Sequence, residues 1–535
     1  MINHLSCNYD EVQDKFVRVR VGSGVKMPSF RKNASKQKTI DLMQQHFEEM
    51  DPETLEEDEK TITISLHKVL TEHLCVFPLP EDRTDLKIKV DGDGAPVMPR
   101  VNHTCVAIKV IRYFEDMGIS EEEWEGLNSP FTSHTLLLFD GKEDYEDIKK
   151  HTKRLRQELA DIRRDGLQVD GRQYTVSVIA GGDLKWLNAV CALSTCSHTF
   201  PCPWCLVCQG ELHLTGADLK YTRRTLALMS EHAHLPHDRM EYPWECECCE
   251  CTYDSPQALI DEEAPTTNAA RLKFQLEHFG VGWHKENLWG LIPEDMVADL
   301  LHHDLREIHF ILERTCKRFL ITTALAEAYC EFLRQYVGCF IKVKKEGKKA
   351  GAKKTKQPNI IGRECEATLK VCEPLMVLIH GVDTENYHLA MKVWTGFKAL
   401  RTEMFARLGK GHTMHTRAQK AYRIRRKAGE YISAKLTLGS VSKDGTQYSH
   451  IAYWHFPEMV MKHGDLVDLS TQALEHLHWL RKKDYRDLSN KGKKSMKQLL
   501  RTEVSRFKLG GIVKTRNKSA HKQRKMGQRA RQGEQ

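Results

Sequence analysis

Three acidic residues in this chain have the setting expected of ligands for divalent metal ions. Asp91 ends a segment of alternating apolar and charged residues, and Asp183 follows an apolar segment that ends in two glycines. Carboxylate oxygens are ligands that Mg²⁺ and Mn²⁺ prefer. Glu475, in a later segment of helical pattern, could complete a site for two metal ions and phosphodiester chemistry. The sequence therefore predicts a catalytic site of Asp91, Asp183 and Glu475.

Two other aspartates compete for the first position of this site. Asp93 lies two residues after Asp91 in the same glycine-rich turn, DGDG. Asp140 ends a strongly apolar segment, a position that is also typical of a turn residue. Any one of these acids, taken alone, is more often a surface or turn residue than a metal ligand. The choice between Asp91 and Asp93 stays open at this point.

A cysteine pair and a histidine pair indicate a second kind of metal site. Cys202 and Cys205 form a CxxC pair, and His450 and His455 form an HxxxxH pair. Two thiolates and two imidazoles are a ligand set typical of structural Zn²⁺, which here would staple two distant segments together. Cys208 could replace one ligand. The alternative is a redox or buried CxxC pair and two unrelated histidines.

A second cysteine cluster lies in the segment CECCEC and has no clear ligand set. It could bind another zinc ion with the help of a nearby histidine, but free cysteines fit the spacing equally well. The cysteines are Cys246, Cys248, Cys249 and Cys251, and the nearby histidines are His232, His234 and His237.

The segments that must position the acids follow a regular order. They are strands at 85–90, 103–111 and 134–139, a helix at 144–165, a strand at 173–180 and a helix at 184–193. In the first strand apolar residues alternate with Lys87 and Lys89, which predicts one buried and one exposed face. The order β-β-β-α-β-α is the layout of a ribonuclease H-like fold. We therefore predict an α/β fold with a ribonuclease H-like mixed sheet and a large, mainly helical insertion between the second and third carboxylates.

A chain of 535 residues is long enough for about two to four domains. Its predicted parts are an N-terminal pre-catalytic region at 1–84, the first part of the ribonuclease H-like core at 85–205, a helical and zinc-binding insertion at 206–440, the last part of the core with the third carboxylate at 441–490, and a basic disordered tail at 491–535. Further helices are predicted at 295–320, 325–336, 364–380, 387–408 and 471–485.

The charge distribution points to a polyanionic partner. The chain has 81 Lys and Arg against 73 Asp and Glu, a net charge of +8, and the excess is concentrated near the end of the sequence. A basic tail on a nearly neutral body is typical of proteins that bind nucleic acid. Neither a signal peptide nor a membrane span is expected, and bunched cysteines then favour metal binding over disulfides.

A second basic stretch precedes the histidine pair and could follow the phosphates of DNA. The alternative for any one of its residues is a solvated helix face. The predicted DNA-contacting residues are Lys410, Arg417, Lys420, Arg423, Arg425, Arg426 and Lys427.

The ordered set of motifs resembles a known family of DNA recombinases. The segments that carry the resemblance are KVDGDG at 89–94, Asp183 followed by CPWC, DLLHHDLR at 299–306, IIGRECEATLK at 360–370, and HIAYWHFPEMVMKHGDLVDLSTQALEH at 450–476. Together they resemble the catalytic core of the V(D)J recombination-activating protein 1 and the related Transib transposases. The resemblance covers about 85–500 and is dense only at the three acidic motifs.

The resemblance implies roles for the residues named above. Asp91, Asp183 and Glu475 would be the DDE triad that holds two Mg²⁺ or Mn²⁺ ions, and the Cys₂His₂ set would hold structural zinc. The implied activity is metal-dependent nicking of double-stranded DNA followed by strand transfer. A homodimer, an accessory protein subunit and a nuclear location are also implied, with no membrane association. The alternative is a catalytically inactive, domesticated transposase that serves as a DNA-binding or scaffold protein.

Overall fold

The apolar and alternating segments of the sequence form strands in the computed structural model. It describes residues 6–10, 15–21, 25–26, 56–58, 61–76, 78–98, 101–111, 133–193, 200–216, 219–228, 244–245, 252–253, 287–320, 322–339, 362–408, 412–438, 446–487, 499–500 and 503. The strands are β1 (Ser6–Asp10), β2 (Lys15–Val21), β3 (Val25–Lys26), β4 (Glu56–Asp58), β5 (Thr61–Thr63), β6 (Asp85–Met98), β7 (Val101–Ile111), β8 (Ser133–Asp140), β9 (Leu167–Val169), β10 (Arg172–Gly182), β11 (Trp244–Glu245), β12 (Thr252–Tyr253) and β13 (Met296–Ala298).

Helices fill most of the rest of the described chain. They are α1 (Leu66–Val76), α2 (Tyr145–His151), α3 (Lys153–Asp165), α4 (Leu184–Val190), α5 (Leu300–Thr315), α6 (Thr323–Phe332), α7 (Gly362–Lys370), α8 (Cys372–His380), α9 (Glu385–Phe405), α10 (Met414–Leu438), α11 (Gln447–Trp454), α12 (Phe456–His463) and α13 (Gln472–Asp487). No helix of the described residues is both long and apolar enough to cross a membrane.

The chain divides into two compact units. The first combines residues 1–178 with 472–535, and the second comprises 179–471. These boundaries differ from the sequence-based division at 205 and 440. The first unit contains the larger part of the sheet and α13, which carries Glu475, whereas the second unit contains Asp183 and both zinc-ligand pairs.

The sheet of the first unit is built around β6, β7 and β8. These three strands pair antiparallel, with Asp91 opposite Ala107 and Asp93 opposite Cys105. Strand β8 also pairs antiparallel with β5, and β10 lies beside β6. The last residues of β10 belong to the second unit and pair parallel with β13. The predicted α/β class and mixed sheet are therefore confirmed.

The first predicted strand differs from expectation in its burial. Lys89 was expected on an exposed face, but its side chain is fully buried. Its ammonium lies 2.7 Å from a carboxylate oxygen of Asp91, which is also buried. A buried charge persists only when a partner of opposite charge compensates for the lost hydration. Strand β6 is therefore buried on both faces at this point, and the ion pair compensates for the cost of burying the two charges.

The predicted helix at 144–165 forms as two helices with a break between them. Asp144 caps α2 by accepting a hydrogen bond from the Asp147 amide at 3.0 Å. At the break the Thr152 hydroxyl donates to the Ile148 carbonyl, a bond that competes with regular helix geometry. Helix α3 ends at Gly166, whose φ of +76° suits glycine, and an added Cβ would lie 2.4 Å from the Tyr174 carbonyl oxygen.

The first unit continues beyond the predicted start of the basic tail. Leu499 and Leu500 are buried, and Glu503 accepts a hydrogen bond of 3.0 Å from Arg481 of α13. Arg481 also donates to Thr135 of β8. These contacts hold α13 against the sheet, so the packed part of this unit reaches past the predicted boundary at 490.

Candidate metal centres

The two zinc-ligand pairs meet in the second unit. The Cys202 sulfur lies 3.3 Å from His455 Nε2, and the Cys205 sulfur lies 3.3 Å from His450 Nε2. All four side chains are buried, and their ligand atoms lie within 4.8 Å of one another. The structure confirms that the pairs, about 250 residues apart in sequence, form one Cys₂His₂ cluster that could bind a metal such as zinc.

Local sequence explains how one segment supplies both histidines. His455 lies between α11 and α12, and Pro457 occupies the first turn of α12. Proline has no amide hydrogen and is tolerated at such a helix start, where it favours a new helix over continuation of the previous one. The break between the helices lets the rings of His450 and His455 approach, with 5.2 Å between their centroids.

The donor set fits Zn²⁺ in both chemistry and spacing. A tetrahedral zinc ion has bonds of about 2.3 Å to sulfur and about 2.0 Å to nitrogen, which separates a sulfur and a nitrogen ligand by about 3.5 Å. Both observed sulfur-to-nitrogen distances are close to that value. Cys208 is buried nearby in sequence but lies outside the group of four.

Groups around the cluster fix the orientation of its ligands. His455 Nδ1 lies 3.1 Å from a carboxylate oxygen of Glu458, which also contacts Arg223. A carboxylate behind a metal-binding histidine is common because it sets the tautomer and the ring angle. The fully buried Arg224 donates to the backbone carbonyl of Cys202 at 2.7 Å and so holds the cysteine loop in place.

The pKa shifts of two ligands favour a thiolate beside an imidazolium. Burial raises the pKa of the Cys202 thiol, but hydrogen bonds from Cys205 and the histidine rings, with the charge of His455, hold it well below its usual value. Burial lowers the pKa of His455, but Cys202 and Glu458 raise it to about 9. Thiolate and neutral imidazole are the forms that bind metal, so a bound ion would replace the proton that His455 holds beside Cys202.

A buried polar network holds the helix that carries His450. Glu307 of α5 accepts hydrogen bonds from Tyr431 at 2.5 Å, Lys435 at 2.8 Å and Ser449 at 2.9 Å, and also one from Thr446. Thr446 caps the start of α11. Burial raises the pKa of the Glu307 carboxyl, but Lys435 and these hydrogen bonds lower it to about 2. The network therefore joins α5, α10 and α11.

We expect Glu307→Gln to lower the free energy of unfolding by about 3–5 kcal/mol, because it leaves the Lys435 ammonium buried without a countercharge. Chemical denaturation followed by circular dichroism measures this change. The control is Glu313→Gln on the same helix, whose exposed pair with Lys317 contributes at most about 1 kcal/mol. Equal stability of the two variants would contradict the role of the network.

The lowered pKa of the Glu307 carboxyl predicts that the stability of the protein decreases at acid pH. The pKa of Glu307 is lowered from 4.5 to about 2 in the folded protein, so its stabilising contribution is complete above pH 4.5. That contribution decreases as the pH falls to about 2. The stability difference between wild type and Glu307→Gln should therefore decrease over this range, as measured by denaturation at a series of pH values.

A second group of metal-binding side chains lies in the first unit. Asp93 of β6 and two residues of α13, Glu475 and His478, place one ligand atom each within 4.8 Å of one another. His478 Nδ1 lies 3.0 Å from Asp93 Oδ2. Burial lowers the pKa of His478, but contact with Asp93 raises it, and the result is about 9. The structure thus brings the predicted third carboxylate to the strand that carries the predicted first one.

His478 was missed in the sequence. Glu475 and His478 are three residues apart on one helix, a spacing that places both side chains on the same face. The segment EHLH contained that signal. The predicted triad consists of carboxylates alone and therefore does not include this histidine.

Asp91 and Asp93 occupy the same face of β6, since side chains two apart on a strand point the same way. Asp91 pairs with Lys89, whereas Asp93 contacts His478 of α13. The group around Glu475 therefore includes Asp93, the alternative that the sequence left open.

Asp183 belongs to the second unit and begins α4. Its Oδ1 accepts a hydrogen bond of 2.7 Å from the Trp186 amide, so it is the N-cap of that helix. This bond fixes the carboxylate directly after β10. Asp140, the other rival, ends β8 and is exposed.

Apart from Lys410, the predicted basic stretch lies on α10, which is not among the helices predicted above. Arg425 and Arg426 are exposed, and Arg425 lies over the rings of Tyr453 and Trp454 at 6.0 and 5.8 Å from their centroids. Tyr422 on this helix is 67% exposed. An exposed surface with guanidinium and aromatic groups is suited to nucleic-acid contacts.

Most cations of the stretch have protein partners, including Arg426, whose Nε lies 3.7 Å from Glu430. Arg423 pairs with Glu403 at 2.9 Å and Lys427 with Glu430 at 2.7 Å. Lys420 is buried, and its ammonium lies 2.6 Å from Asp465. Arg417 donates to the Met461 carbonyl at 3.3 Å. Lys420 is therefore unsuited to contact DNA, because its charge is neutralised inside the protein.

Some predicted sites fall outside the described residues. They are Lys410, the cysteines Cys246, Cys248, Cys249 and Cys251, the histidines His232, His234 and His237, and most of the tail at 491–535.

Comparison with known proteins adds no family assignment. No protein-family model matches this chain. A search of curated proteins finds no significant match either.

Proposed function

We propose that this chain is a DDE-type recombinase or transposase that nicks double-stranded DNA and transfers strands with Mg²⁺ or Mn²⁺. One observation supports the proposal most. Glu475 lies with Asp93 in one group of potential metal ligands, although the two are about 380 residues apart in sequence. The sequence setting of Glu475 predicts a catalytic carboxylate, and its approach to the DGDG segment is what that role requires; this segment lies within β6, where a turn was predicted.

The residues of the proposed site are acidic for a physical reason. Carboxylates beside a DNA phosphate repel it unless divalent cations lie between them. Bound Mg²⁺ or Mn²⁺ would supply an activated water and stabilise the leaving 3′ oxygen. Asp93 of β6 and Glu475 of α13 supply ligand oxygens, and Arg481, paired with Glu503, holds α13 to the sheet. Asp183 is retained as the second carboxylate on the basis of its sequence motif.

The first carboxylate of the proposed triad is Asp93. Asp91 neutralises the buried Lys89, and a metal ligand at that position would leave the lysine uncompensated. Asp91 therefore serves the stability of β6 in this proposal. The choice is testable because the two roles predict different effects of substitution.

Zinc in the Cys₂His₂ cluster is proposed to have a structural role. All four ligands come from the protein, and a zinc site closed in this way has no position for a substrate. The ion would join the loop after α4 to the junction of α11 and α12. It would thus fix parts of the second unit that are far apart in the sequence.

The proposed partner is double-stranded DNA, contacted in part by the exposed cations of α10, Arg425 and Arg426. A homodimer, an accessory subunit and a nuclear location belong to the same proposal, since they derive from the family resemblance. The alternative function is a DNA-binding or scaffold protein without catalysis. DNA binding without nicking would favour that alternative.

The proposal is tested by incubating the purified full-length protein with supercoiled plasmid and Mn²⁺ or Mg²⁺. We expect nicked circles from the wild type, and Asp183→Asn should reduce the nicking rate by at least about 100-fold. Asp140→Asn is the matched control and should retain the rate. Equal nicking by wild type and Asp183→Asn, with both folded, would contradict the assignment of Asp183.

A further inference from the structure

The group around Glu475 differs from a purely acidic site because one member is a histidine. His478 is on the face of α13 that carries Glu475, and its side chain is only 4% exposed. Neither of its ring nitrogens makes a hydrogen bond of normal geometry to the described residues. Contacts with Asp93 and Cys105 compensate part of the lost hydration, but a buried imidazole without an aligned hydrogen bond still gains from a further ligand.

The contact between His478 and Asp93 has the spacing of two ligands of one ion. Their closest atoms, Nδ1 and Oδ2, are 3.0 Å apart, yet the pair is poorly aligned for a hydrogen bond. Two ligands at right angles, each about 2.1 Å from a metal ion, are also about 3.0 Å apart. The distance therefore suits shared coordination, and the poor alignment disfavours a simple hydrogen bond.

The charge of the group also suits a divalent ion. Metal binding would displace the proton that contact with Asp93 favours on His478, and two carboxylates with the resulting neutral imidazole carry a charge of about −2 together. The nearest basic residue along the helix, Arg481, is paired with Glu503 at 3.0 Å and 3.2 Å. The guanidinium is therefore compensated by a carboxylate outside the group.

We propose that His478 is a direct ligand of a divalent ion held with Asp93 and Glu475, and that this site selects a first-row transition-metal ion over Mg²⁺. Mg²⁺ prefers oxygen ligands, and imidazole nitrogen suits transition metals better. This inference refines the metal preference of the proposed active site. It rests on the geometry of the group and does not require DNA cleavage.

The test uses Mn²⁺ as the probe and the full-length protein with its Cys₂His₂ cluster first saturated with zinc. Electron paramagnetic resonance titration should show one site in the wild type whose Mn²⁺ is displaced only by a large excess of Mg²⁺. Electron spin echo modulation should show a coupled imidazole nitrogen. His478→Gln should weaken Mn²⁺ binding by at least about tenfold, leave Mg²⁺ binding within about threefold, and abolish the nitrogen signal.

The control is His67→Gln, which alters an exposed histidine of α1 in the same unit and should change neither quantity. Absence of the nitrogen signal in wild-type protein that binds Mn²⁺ would overturn the proposal, and this measurement does not depend on whether a variant folds. Equal affinity for Mn²⁺ and Mg²⁺ would also overturn it. Nitrogen-coordinated Mn²⁺ without plasmid nicking would support this inference while contradicting the proposed function.

Discussion

Replacement of Cys202 by serine is expected to remove zinc from the protein and unfold much of the second unit. Structural zinc sites contribute on the order of 10 kcal/mol of apparent binding free energy near neutral pH. A typical domain has a net stability of about 5–15 kcal/mol, so loss of the ion removes most of that margin. The cluster is buried, and serine offers a much weaker ligand than thiolate.

The expected result is a loss of equimolar zinc, measured by atomic emission, and a large fall in the thermal midpoint, measured by calorimetry. His455→Ala should have the same effect, because it removes a ligand from the opposite segment. Cys208→Ser is the matched control, since this cysteine is buried but lies outside the group of four. Retention of zinc and of the thermal midpoint by Cys202→Ser would contradict the structural role of the cluster.

The cluster also shows what a sequence can reveal about a site. The spacings within CxxC and HxxxxH are local, and each places two ligands close together whatever the surrounding fold. That the two pairs would meet was a hypothesis about distant segments, and the observed distances of 3.3 Å confirm it. The helix break at His455 could not be predicted from spacing alone.

The strands of the first unit were predictable because their apolar residues follow strict patterns. The segment HTLLLF forms a strand whose residues are buried on both faces, as a continuous apolar run suggests. The alternation around Lys89 predicts an exposed lysine because charged side chains are usually hydrated. A lysine marks an exposed face only when no carboxylate neutralises it inside the protein.

Helix α10 is absent from the predicted helices because its basic residues indicate a DNA contact or a solvated helix face, and neither interpretation includes a buried side. Its buried face is made of small and apolar residues such as Ala421, Ile424 and Ala428, at helical spacing. The same periodicity would have shown that Lys420 lies beside this buried face. Sequence patterns record the period of burial, but the ion pair between Lys420 and Asp465 depends on a distant segment.

The identity of the first carboxylate also depends on contacts between segments that are distant in the sequence. Asp91 and Asp93 share a face of β6, so no pattern within the strand distinguishes them. Only the position of α13 does so, because this helix brings His478 to Asp93. The ion pair with Lys89 gives Asp91 a separate task.

We therefore expect Asp93→Asn to lower the nicking rate and Asp91→Asn to lower the stability. Asp93→Asn removes a metal ligand whose side chain is 19% exposed, so plasmid nicking should fall by about a thousandfold with little change in stability. Asp91→Asn leaves Lys89 charged and buried, so the free energy of unfolding should fall by about 3–5 kcal/mol. Nicking rates with Mn²⁺ and denaturation curves of both variants measure the two effects.

A double variant separates charge compensation from catalysis. Lys89→Met combined with Asp91→Asn removes both buried charges, and replacing a buried ion pair by neutral groups is often neutral or stabilising. We expect this variant to regain most of the lost stability and to nick DNA at a rate within about tenfold of wild type. A purely compensating role of Asp91 would leave the chemistry of the folded protein intact. If Asp91→Asn instead abolishes nicking without a change in stability, and the double variant is equally inactive, Asp91 is the first carboxylate.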